Sequence, residues 1–184
     1  MSDPGPRFSI LLWIAVILAI VLAILLFERG MNQVAAVNAP ASSGAAVVGQ
    51  MLPDVQLRRV DGTAVPLRSY VGHPLWINFF ATWCVPCKAE LPQVEHRYQK
   101  WGSSGLVVLG IDQQESSDVV TPFVKLFHLS YPIAIDEGPA AMLFNIHVIP
   151  VSMFVDRSGV VRSIVIGQMQ ADAMDSQIQA ILLD

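Results

Sequence analysis

The chain has 184 residues, a formal net charge of −4 at pH 7 and 53% hydrophobic residues. This length suits one domain plus an appendage, because single domains commonly run to about 100–150 residues. The charged residues form no basic cluster, which argues against a nucleic acid partner. Two cysteines are too few for a disulfide scaffold, so the domain should fold on its hydrophobic core and leave the pair free for chemistry.

An apolar run near the N-terminus extends from Ile10 to Phe27 without interruption. As a helix it would cover about 27 Å, close to the roughly 30 Å hydrocarbon core of a bilayer. The alternative is a cleaved signal peptide, whose apolar core usually has only about 7–15 residues, with a cleavage site in the Ala-rich sequence around residues 34–37. We expect a transmembrane signal anchor over residues 10–27. The positive charges of Arg7 and the terminal amine favour a cytoplasmic location for the short N-terminus, residues 1–9. With this orientation the anchor exports the remainder of the chain.

The segment after the apolar run is predicted to be a flexible tether. Between Gly30 and Val48 it contains no charged residue, is rich in Ala, Ser, Asn and Gly, and shows no amphipathic period. Residues 28–47 would therefore connect the anchor to a domain at residues 48–184. About twenty flexible residues have a root-mean-square reach of ~25 Å, which would keep the domain near the membrane surface.

The domain sequence alternates strand-like and helix-like patterns. In chain order we predict a hairpin (55–58 and 63–67, turning at Asp61-Gly62), a loop (69–74), a buried strand (75–80), a helix from the cysteines to about residue 100 that is kinked at Pro92, a strand (105–112), a helix (117–129), a strand (131–135), a helical turn (140–144), a second hairpin (151–155 and 160–166) and a closing helix (171–183). The closing helix places Ala173, Met174, Ile178, Ile181 and Leu182 on one face. This order predicts an α/β core with helices on both faces of a sheet.

The two cysteines, Cys84 and Cys87, lie in a Cys-x-x-Cys pattern where the buried strand gives way to a helix. A dithiol at such a junction can close into a disulfide with little backbone movement, and the helix N-terminus favours a thiolate at the first cysteine. The alternatives are a structural disulfide or half of a zinc site. A zinc site usually shows a second Cys or His pair at ligand spacing, which this sequence lacks, so we favour redox chemistry and predict no metal.

The order of elements resembles the thioredoxin fold, with Trp-Cys-x-Pro-Cys after the first core strand and an isolated Pro150 before a later strand. The finer resemblance is to membrane-anchored, extracytoplasmic thioredoxin-like proteins of the TlpA/ResA/DsbE group. It spans residues 48–184 and is carried by Gly49-Gln50-Met51-Leu52-Pro53-Asp54, Asp61-Gly62-Thr63, Asn78 to Cys87, Glu90-Leu91-Pro92 and Ile149-Pro150.

Three positions depart from common patterns of the resembling proteins. Asn78 stands where thioredoxins usually carry a carboxylate, as it does in other members of the group. Val85 replaces a glycine between the cysteines, and Val151 follows the proline where many relatives carry threonine. The contacts with substrate are therefore expected to differ from those of relatives.

The resemblance implies roles for the residues of the motif. Cys84, at the helix start, would be the nucleophile, and Cys87 would be the more buried resolving thiol. Pro86 would fix φ within the first turn of the helix without removing a needed donor. Trp83 would act as a lid beside the sulfurs, although simple packing is the alternative.

Two further positions gain a role from the resemblance. Glu90 lies one helical turn beyond Cys87, and an acid at this position is associated with the active site in this group. Because Asn78 cannot exchange protons, Glu90 is predicted to accept a proton or to tune the thiol pKa; the alternative is an ordinary solvated acid. Pro150 is expected to be cis, although most X-Pro bonds are trans, and the Ile149 backbone would pair with an extended substrate peptide.

The resemblance thus implies a thiol:disulfide reductase tethered to the bacterial cytoplasmic membrane, with its domain outside the cytoplasm. Its substrates would be disulfides of exported proteins such as apocytochrome c, its electron donor a transmembrane protein of the DsbD/CcdA type, and its redox group the dithiol with no other cofactor. Neither Val85 nor Pro86 has a side chain that donates a hydrogen bond to Cys84, which favours a reductant. The alternatives are an oxidant or isomerase of exported proteins, or a non-catalytic docking or chaperone module in cytochrome assembly.

Overall fold

The computed structural model describes residues 18–22 and 48–183. The chain separates into two units, Met1–Ser43 and Gly44–Asp184. Within the first unit, residues 18–22 are helical. The predicted N-terminus (1–9), most of the predicted anchor (10–27) and the predicted tether (28–47) lie outside the described residues. In the part of the chain that is described, no helix is long and apolar enough to cross a membrane.

The second unit is built on one seven-stranded mixed sheet with the strand order β2-β1-β5-β4-β3-β6-β7. The strands β3, β4 and β5 run parallel in its centre, while β1, β2, β6 and β7 add antiparallel pairs toward the two edges. The strands are β1 (Gln56–Arg59), β2 (Ala64–Pro66), β3 (Leu75–Phe80), β4 (Val107–Gln113), β5 (Ile133–Asp136), β6 (Val151–Val155) and β7 (Val161–Ile166). All six residues of β3 are buried, as its sequence predicts, in which Asn78 is the one polar residue. The predicted thioredoxin-type α/β fold is confirmed.

Four α-helices connect and cover these strands. They are α1 (Val85–Trp101), α2 (Ser117–Leu126), α3 (Pro139–Leu143) and α4 (Ala171–Leu183), with short 3-10 helices at Leu67–Tyr70 and Gly102–Ser104. Helix α1 begins directly after Cys84 and is continuous through Pro92. After its last turn the chain reverses at Gly105, whose φ of 93° is left-handed and therefore suits glycine.

The two faces of the sheet are covered unequally. Trp76 and Phe80 pack on the face that also buries residues of α1, α2 and α4, whereas Ile77 and Phe79 pack on the face covered by α3 and the first 3-10 helix. Helices therefore lie on both faces, as predicted, but three of the four share the face that carries the cysteines. Close packing on that face requires Gly110 in β4, because a Cβ there would lie 2.6 Å from Ile133 Cδ1.

Three details of the sequence-based prediction are wrong. Helix α2 ends at Leu126 and not at residue 129, because His128 takes a left-handed φ of 52° and Leu129 N–H closes back on Val124 O at 3.0 Å. Ala173 is exposed, since its methyl group gains little from burial and the face of α4 is set by larger side chains. The loop predicted from residue 69 starts inside the first 3-10 helix.

Candidate active site

The two cysteines lie where β3 passes into α1, and they form a disulfide with a Cα–Cα distance of 5.2 Å. Cys84 is the N-cap of α1, and its Sγ accepts a hydrogen bond from the Cys87 backbone N–H at 3.2 Å. Both side chains are buried, with Cys84 4% and Cys87 1% exposed, so the difference between them has the predicted sign but is small. Pro86 lies in the first turn, where a helix has no intrahelical partner for an N–H donor.

An exposed apolar rim surrounds the buried disulfide. Trp83 and Val85, the neighbours of Cys84 in the chain, are 66% and 71% exposed, and Pro86 is exposed as well. Trp83 is therefore not a core residue, which removes the simple-packing alternative. Exposed apolar side chains around a reactive pair are suited to contact another polypeptide.

The peptide bond between Ile149 and Pro150 is cis, which confirms the prediction for this bond. Pro150 is buried directly before β6, and β6 pairs antiparallel with β3 so that Val151 lies opposite Phe79. This register brings the proline beside the end of β3, from which the chain continues into the cysteine motif. Pro150 and the dithiol are thus neighbours at one edge of the sheet although they are more than sixty residues apart in the sequence.

A groove of about 450 Å³ runs beside the dithiol loop. It is lined by Trp83, Gln113, Gln114, Ile146, His147, Val148 and Ile149. The predicted substrate residues Trp83 and Ile149 thus share one surface. His147 is exposed and also lines the groove, and its ring Nε2 lies 2.8 Å from Asn145 Oδ1.

Glu90 is buried, with only 2% of its surface exposed, one turn beyond Cys87 on the same helix. Its Oε2 accepts a hydrogen bond from the Met169 backbone N–H at 3.2 Å, and its Oε1 lies 3.5 Å from Asn78 Nδ2. Burial raises the pKa of Glu90 from 4.5 to about 7, and the Met169 N–H acts in the opposite direction. The alternative of an ordinary solvated acid is therefore wrong, and Glu90 can exchange a proton near neutral pH.

A neutral hydrogen-bonded set lies beside Glu90 in the sheet. Asn78 Nδ2 donates to Ser152 Oγ at 3.3 Å, and Trp76 Nε1 donates to the same oxygen at 2.9 Å. All three residues are buried. Because none of these three residues titrates near neutral pH, the adjacent Glu90 is the buried group here that can take up or release a proton.

Sequence reasoning missed a pair of carboxylates, Asp112 and Glu115, at this edge of the sheet. Glu115 Oε2 accepts from Thr82 N–H at 2.5 Å, and Glu115 Oε1 accepts from Thr82 Oγ1 at 2.7 Å. Asp112 is fully buried; burial and the adjacent Glu115 raise its pKa to about 8. The signal that could have found them is the position of Asp112 at the carboxyl end of β4, next to Phe80 at the end of β3.

Comparison with known proteins finds a matching family and relatives that are thiol-disulfide oxidoreductases. The AhpC/TSA family matches residues 48–164. The thiol-disulfide oxidoreductase ResA of Bacillus cereus is 28% identical over 135 residues, which cover 73% of this chain and 78% of ResA. ResA of Oceanobacillus iheyensis is 30% identical over 139 residues, covering 73% of this chain and 72% of that protein.

Solved structures give the same result. A thiol:disulfide interchange protein of the thioredoxin family from Chlorobium tepidum superposes with a TM-score of 0.67 at 28% identity, covering 74% of this chain and 98% of that structure. StoA from Bacillus subtilis superposes with a TM-score of 0.60 at 25% identity, covering 72% and 98% of the two chains. These relatives support the predicted TlpA/ResA/DsbE group.

Proposed function

This chain belongs to the AhpC/TSA family and is a thiol-disulfide oxidoreductase whose redox-active cysteines need no other cofactor; on that premise we propose that it reduces disulfides of exported proteins through Cys84 and Cys87. The observation that carries this proposal is the placement of Cys84 at the start of α1 with Glu90 buried one turn beyond Cys87. It supplies a nucleophile, a resolving thiol and a proton acceptor on one helix.

The proposed reaction transfers two electrons from the dithiol to the substrate. The Cys84 thiolate attacks one sulfur of a substrate disulfide, forming a mixed disulfide and releasing the other substrate sulfur as a thiolate that takes up a proton. Cys87 then attacks Cys84 Sγ, which breaks the mixed disulfide and forms the Cys84–Cys87 disulfide. The second substrate sulfur leaves as a thiolate and is protonated, so the substrate gains two electrons and two protons.

Glu90 is proposed to accept the proton that Cys87 loses before this second step. The residue is on the same helix as Cys87 and is separated from it by three positions, a spacing that places two side chains on one helical face. A pKa of about 7 lets the carboxylate take a proton from a thiol and release it again within the neutral range. Asn78, at the position of the usual thioredoxin carboxylate, cannot perform this exchange.

The reducing direction is supported by the few hydrogen bonds offered to the nucleophile. Strong oxidants of this class stabilise the thiolate of the reduced form, which raises the potential toward about −120 mV, against about −270 mV for thioredoxin. Here Cys84 Sγ accepts one hydrogen bond among the described residues, from the Cys87 N–H. Val85 and Pro86 add no side-chain donor, so the two residues between the cysteines give a thiolate at Cys84 no further side-chain hydrogen bond.

The proposed substrate is an exported polypeptide such as apocytochrome c, held against Trp83, Pro86 and the Ile149–Pro150 segment. The exposed rim and the groove beside the dithiol support an extended chain as the occupant. The proposed location is the bacterial cytoplasmic membrane with the domain on the outer side, anchored in lipid by residues 10–27. The proposed source of electrons is a transmembrane dithiol protein of the DsbD/CcdA type.

Trapping in cells tests the substrate. In the Cys87→Ala variant the mixed disulfide at Cys84 cannot be resolved, so we expect apocytochrome c to accumulate in disulfide linkage to this protein. The matched control, Cys84→Ser combined with Cys87→Ala, should capture nothing. A broad set of exported proteins on Cys84 would indicate a general reductase and would overturn the assignment to cytochrome assembly.

Two further measurements separate the alternatives. A reduction potential near the −120 mV of strong oxidants would contradict the reducing direction and favour an oxidant or isomerase. If the Cys84→Ser, Cys87→Ser variant supported normal cytochrome c levels while deletion of the protein abolished them, a docking or chaperone module would be the better description.

Protease accessibility of the domain in intact spheroplasts tests its proposed location.

A further inference from the structure

The loop that leads into the cysteine motif is bound to a residue far along the chain. Thr82 lies two positions before Cys84, and both its backbone N–H and its hydroxyl donate to the two carboxylate oxygens of Glu115, at 2.5 and 2.7 Å. Hydrogen bonds to an ionised carboxylate are roughly twice as strong as those between neutral groups. The loop is therefore held at two atoms by one side chain, close to the reactive sulfur in the sequence.

The sheet brings this partner into place. β3 and β4 are parallel, with Phe80 paired to Asp112, so the chain leaves both strands at the same edge. Three residues after Asp112 the Glu115 backbone N–H donates to Asp112 Oδ1 at 3.1 Å, which fixes the start of the loop that carries Glu115. The second Asp112 oxygen, Oδ2, is buried with no hydrogen-bond partner among the described residues.

We propose that Glu115 is a positioning residue of the dithiol site, and that its carboxylate, bound to Thr82, sets the reactivity of Cys84. Glu115 acts on the sulfur through the Thr82 loop and through the charge of its carboxylate. Two effects combine in this arrangement: the hydrogen bonds fix the loop from which α1 starts, and the carboxylate adds a negative charge that opposes a thiolate at Cys84. The Thr82 hydroxyl partly offsets that charge. This inference rests on the dithiol chemistry of the chain and is independent of the direction in which electrons flow.

Alkylation of Cys84 tests the proposal, measured as a rate constant against pH in the reduced Cys87→Ala protein so that one thiol reacts. Glu115→Gln keeps the side-chain shape but loses the charge, and we expect Cys84 to be alkylated about threefold faster at pH 7. Thr82→Val loses the hydroxyl while Glu115 keeps its charge, and we expect alkylation to slow about threefold. Thr82→Val placed in the Glu115→Gln protein should have no further effect, because the charge it would unmask is gone.

Controls separate this role from a purely structural one. Glu137→Gln removes an exposed carboxylate that is paired with Arg58 at 3.2 Å, and it should leave alkylation unchanged. Urea unfolding of each variant reports stability separately. Alkylation rates within experimental error of the parent in all variants, even with lowered stability, would overturn the proposal. An equal effect of Thr82→Val with and without Glu115 would also overturn it.

A second pair of variants keeps the test decisive if Glu115→Gln does not fold. Thr82→Ser retains the hydroxyl and the backbone N–H, whereas Thr82→Val retains the N–H alone. The proposal expects slower alkylation for the valine variant and parental alkylation for the serine variant. Equal rates in the two variants would contradict it.

Discussion

Two buried carboxylates of this domain differ in what surrounds them. Glu90, beneath the dithiol, and Asp156, at the turn between β6 and β7, are 2% and 1% exposed. Burial raises the pKa of Glu90 to about 7, and the hydrogen bond that acts against it comes from one backbone N–H. Burial acts in the same direction on Asp156, but hydrogen bonds from Ser158, Val160 and Arg162 bring its pKa below the ordinary value of 3.8.

The difference shows that burial alone does not set the protonation of an acid. Asp156 accepts from Ser158 Oγ at 2.6 Å, from Val160 N–H at 3.0 Å and from Arg162 Nε at 2.5 Å, so its charge is well satisfied. Glu90 lies in a place where donors are few, and its charge is correspondingly costly. Asp156 stabilises a turn as a permanent anion, whereas Glu90 is poised to gain and lose a proton.

The largest expected effect is on the pH dependence of stability. The folded protein holds the Glu90 proton to a higher pH than the unfolded chain does, so the contribution of Glu90 to the free energy of unfolding falls as pH rises from 4.5 to about 7 and is level above that. A rise of the pKa from 4.5 to about 7 corresponds to about 3 kcal/mol. In urea unfolding of the oxidised proteins, the parent should lose this amount relative to Glu90→Gln across that range.

Asp156 supplies the matched control for this measurement, because its slope has the opposite sign. Its pKa is lowered on folding, so its contribution is present above pH 3.8 and is lost as the pH falls below that value. Asp156→Asn should therefore differ from the parent by a constant amount between pH 4.5 and 8. Asp112, with a raised pKa of about 8, contributes equally to parent and variants and cancels in the difference. Parallel curves for the parent and Glu90→Gln would show that Glu90 is ionised throughout.

The next effect is kinetic. If Glu90 accepts the proton from Cys87, Glu90→Gln should slow the resolution of a mixed disulfide roughly 100-fold, within the usual range for general base catalysis. The rate in the parent should rise with pH through about 7, and this rise should be absent from the variant. Rapid-mixing measurements on a mixed disulfide between Cys84 and a chromogenic thiol give this rate directly. An unchanged rate, with the alkylation of Cys84 also unchanged, would leave Glu90 without a role in proton transfer.

The sequence predicted the elements with strong local patterns. Leu75–Phe80 is a strand with the predicted bounds, because an apolar segment of that length, with Asn78 as its one polar residue, fits a buried central strand. The Asp61-Gly62 turn and the strand-to-helix position of the cysteines were also predicted, because each depends on residues that are neighbours in the sequence. Ala173 was assigned to the wrong face because a methyl group is compatible with either side of a helix.

Contacts between distant segments could not be predicted in this way. The pairing of β1 with β5, in which Arg58 lies opposite Ile135, has no counterpart in any local pattern. The Thr82–Glu115 pair was missed because an acid in a polar loop is usually solvated, and the contact depends on the register of β3 against β4. Glu90 likewise accepts a hydrogen bond from the backbone N–H of Met169, almost eighty residues later in the chain, a contact that no local pattern predicts.

The third prediction concerns Asp156 itself. Asp156→Ala removes a buried acceptor from three donors, one of them the Val160 backbone N–H, which is then left without that partner. We expect the free energy of unfolding to fall by about 2 kcal/mol, with disulfide exchange at the parental rate. Urea unfolding and a disulfide-reduction assay on the same preparation measure the two quantities. A slower exchange reaction would show that the two acids are coupled and would break the distinction between them.

The smallest expected effect identifies which donors keep Asp156 ionised. Arg162→Gln removes a side chain that is 47% exposed, and ion pairs at such exposure contribute only about 0.5 kcal/mol. Ser158 Oγ and Val160 N–H would continue to donate to Asp156, so its pKa should stay below its ordinary value. Urea unfolding at pH 7 and carboxyl titration by NMR check the two expectations. If this variant lost as much stability as Asp156→Ala, Arg162 rather than the turn would be keeping the Asp156 carboxylate ionised. The difference between Asp156 and Glu90 would then depend on one positive charge and not on the number of hydrogen-bond donors.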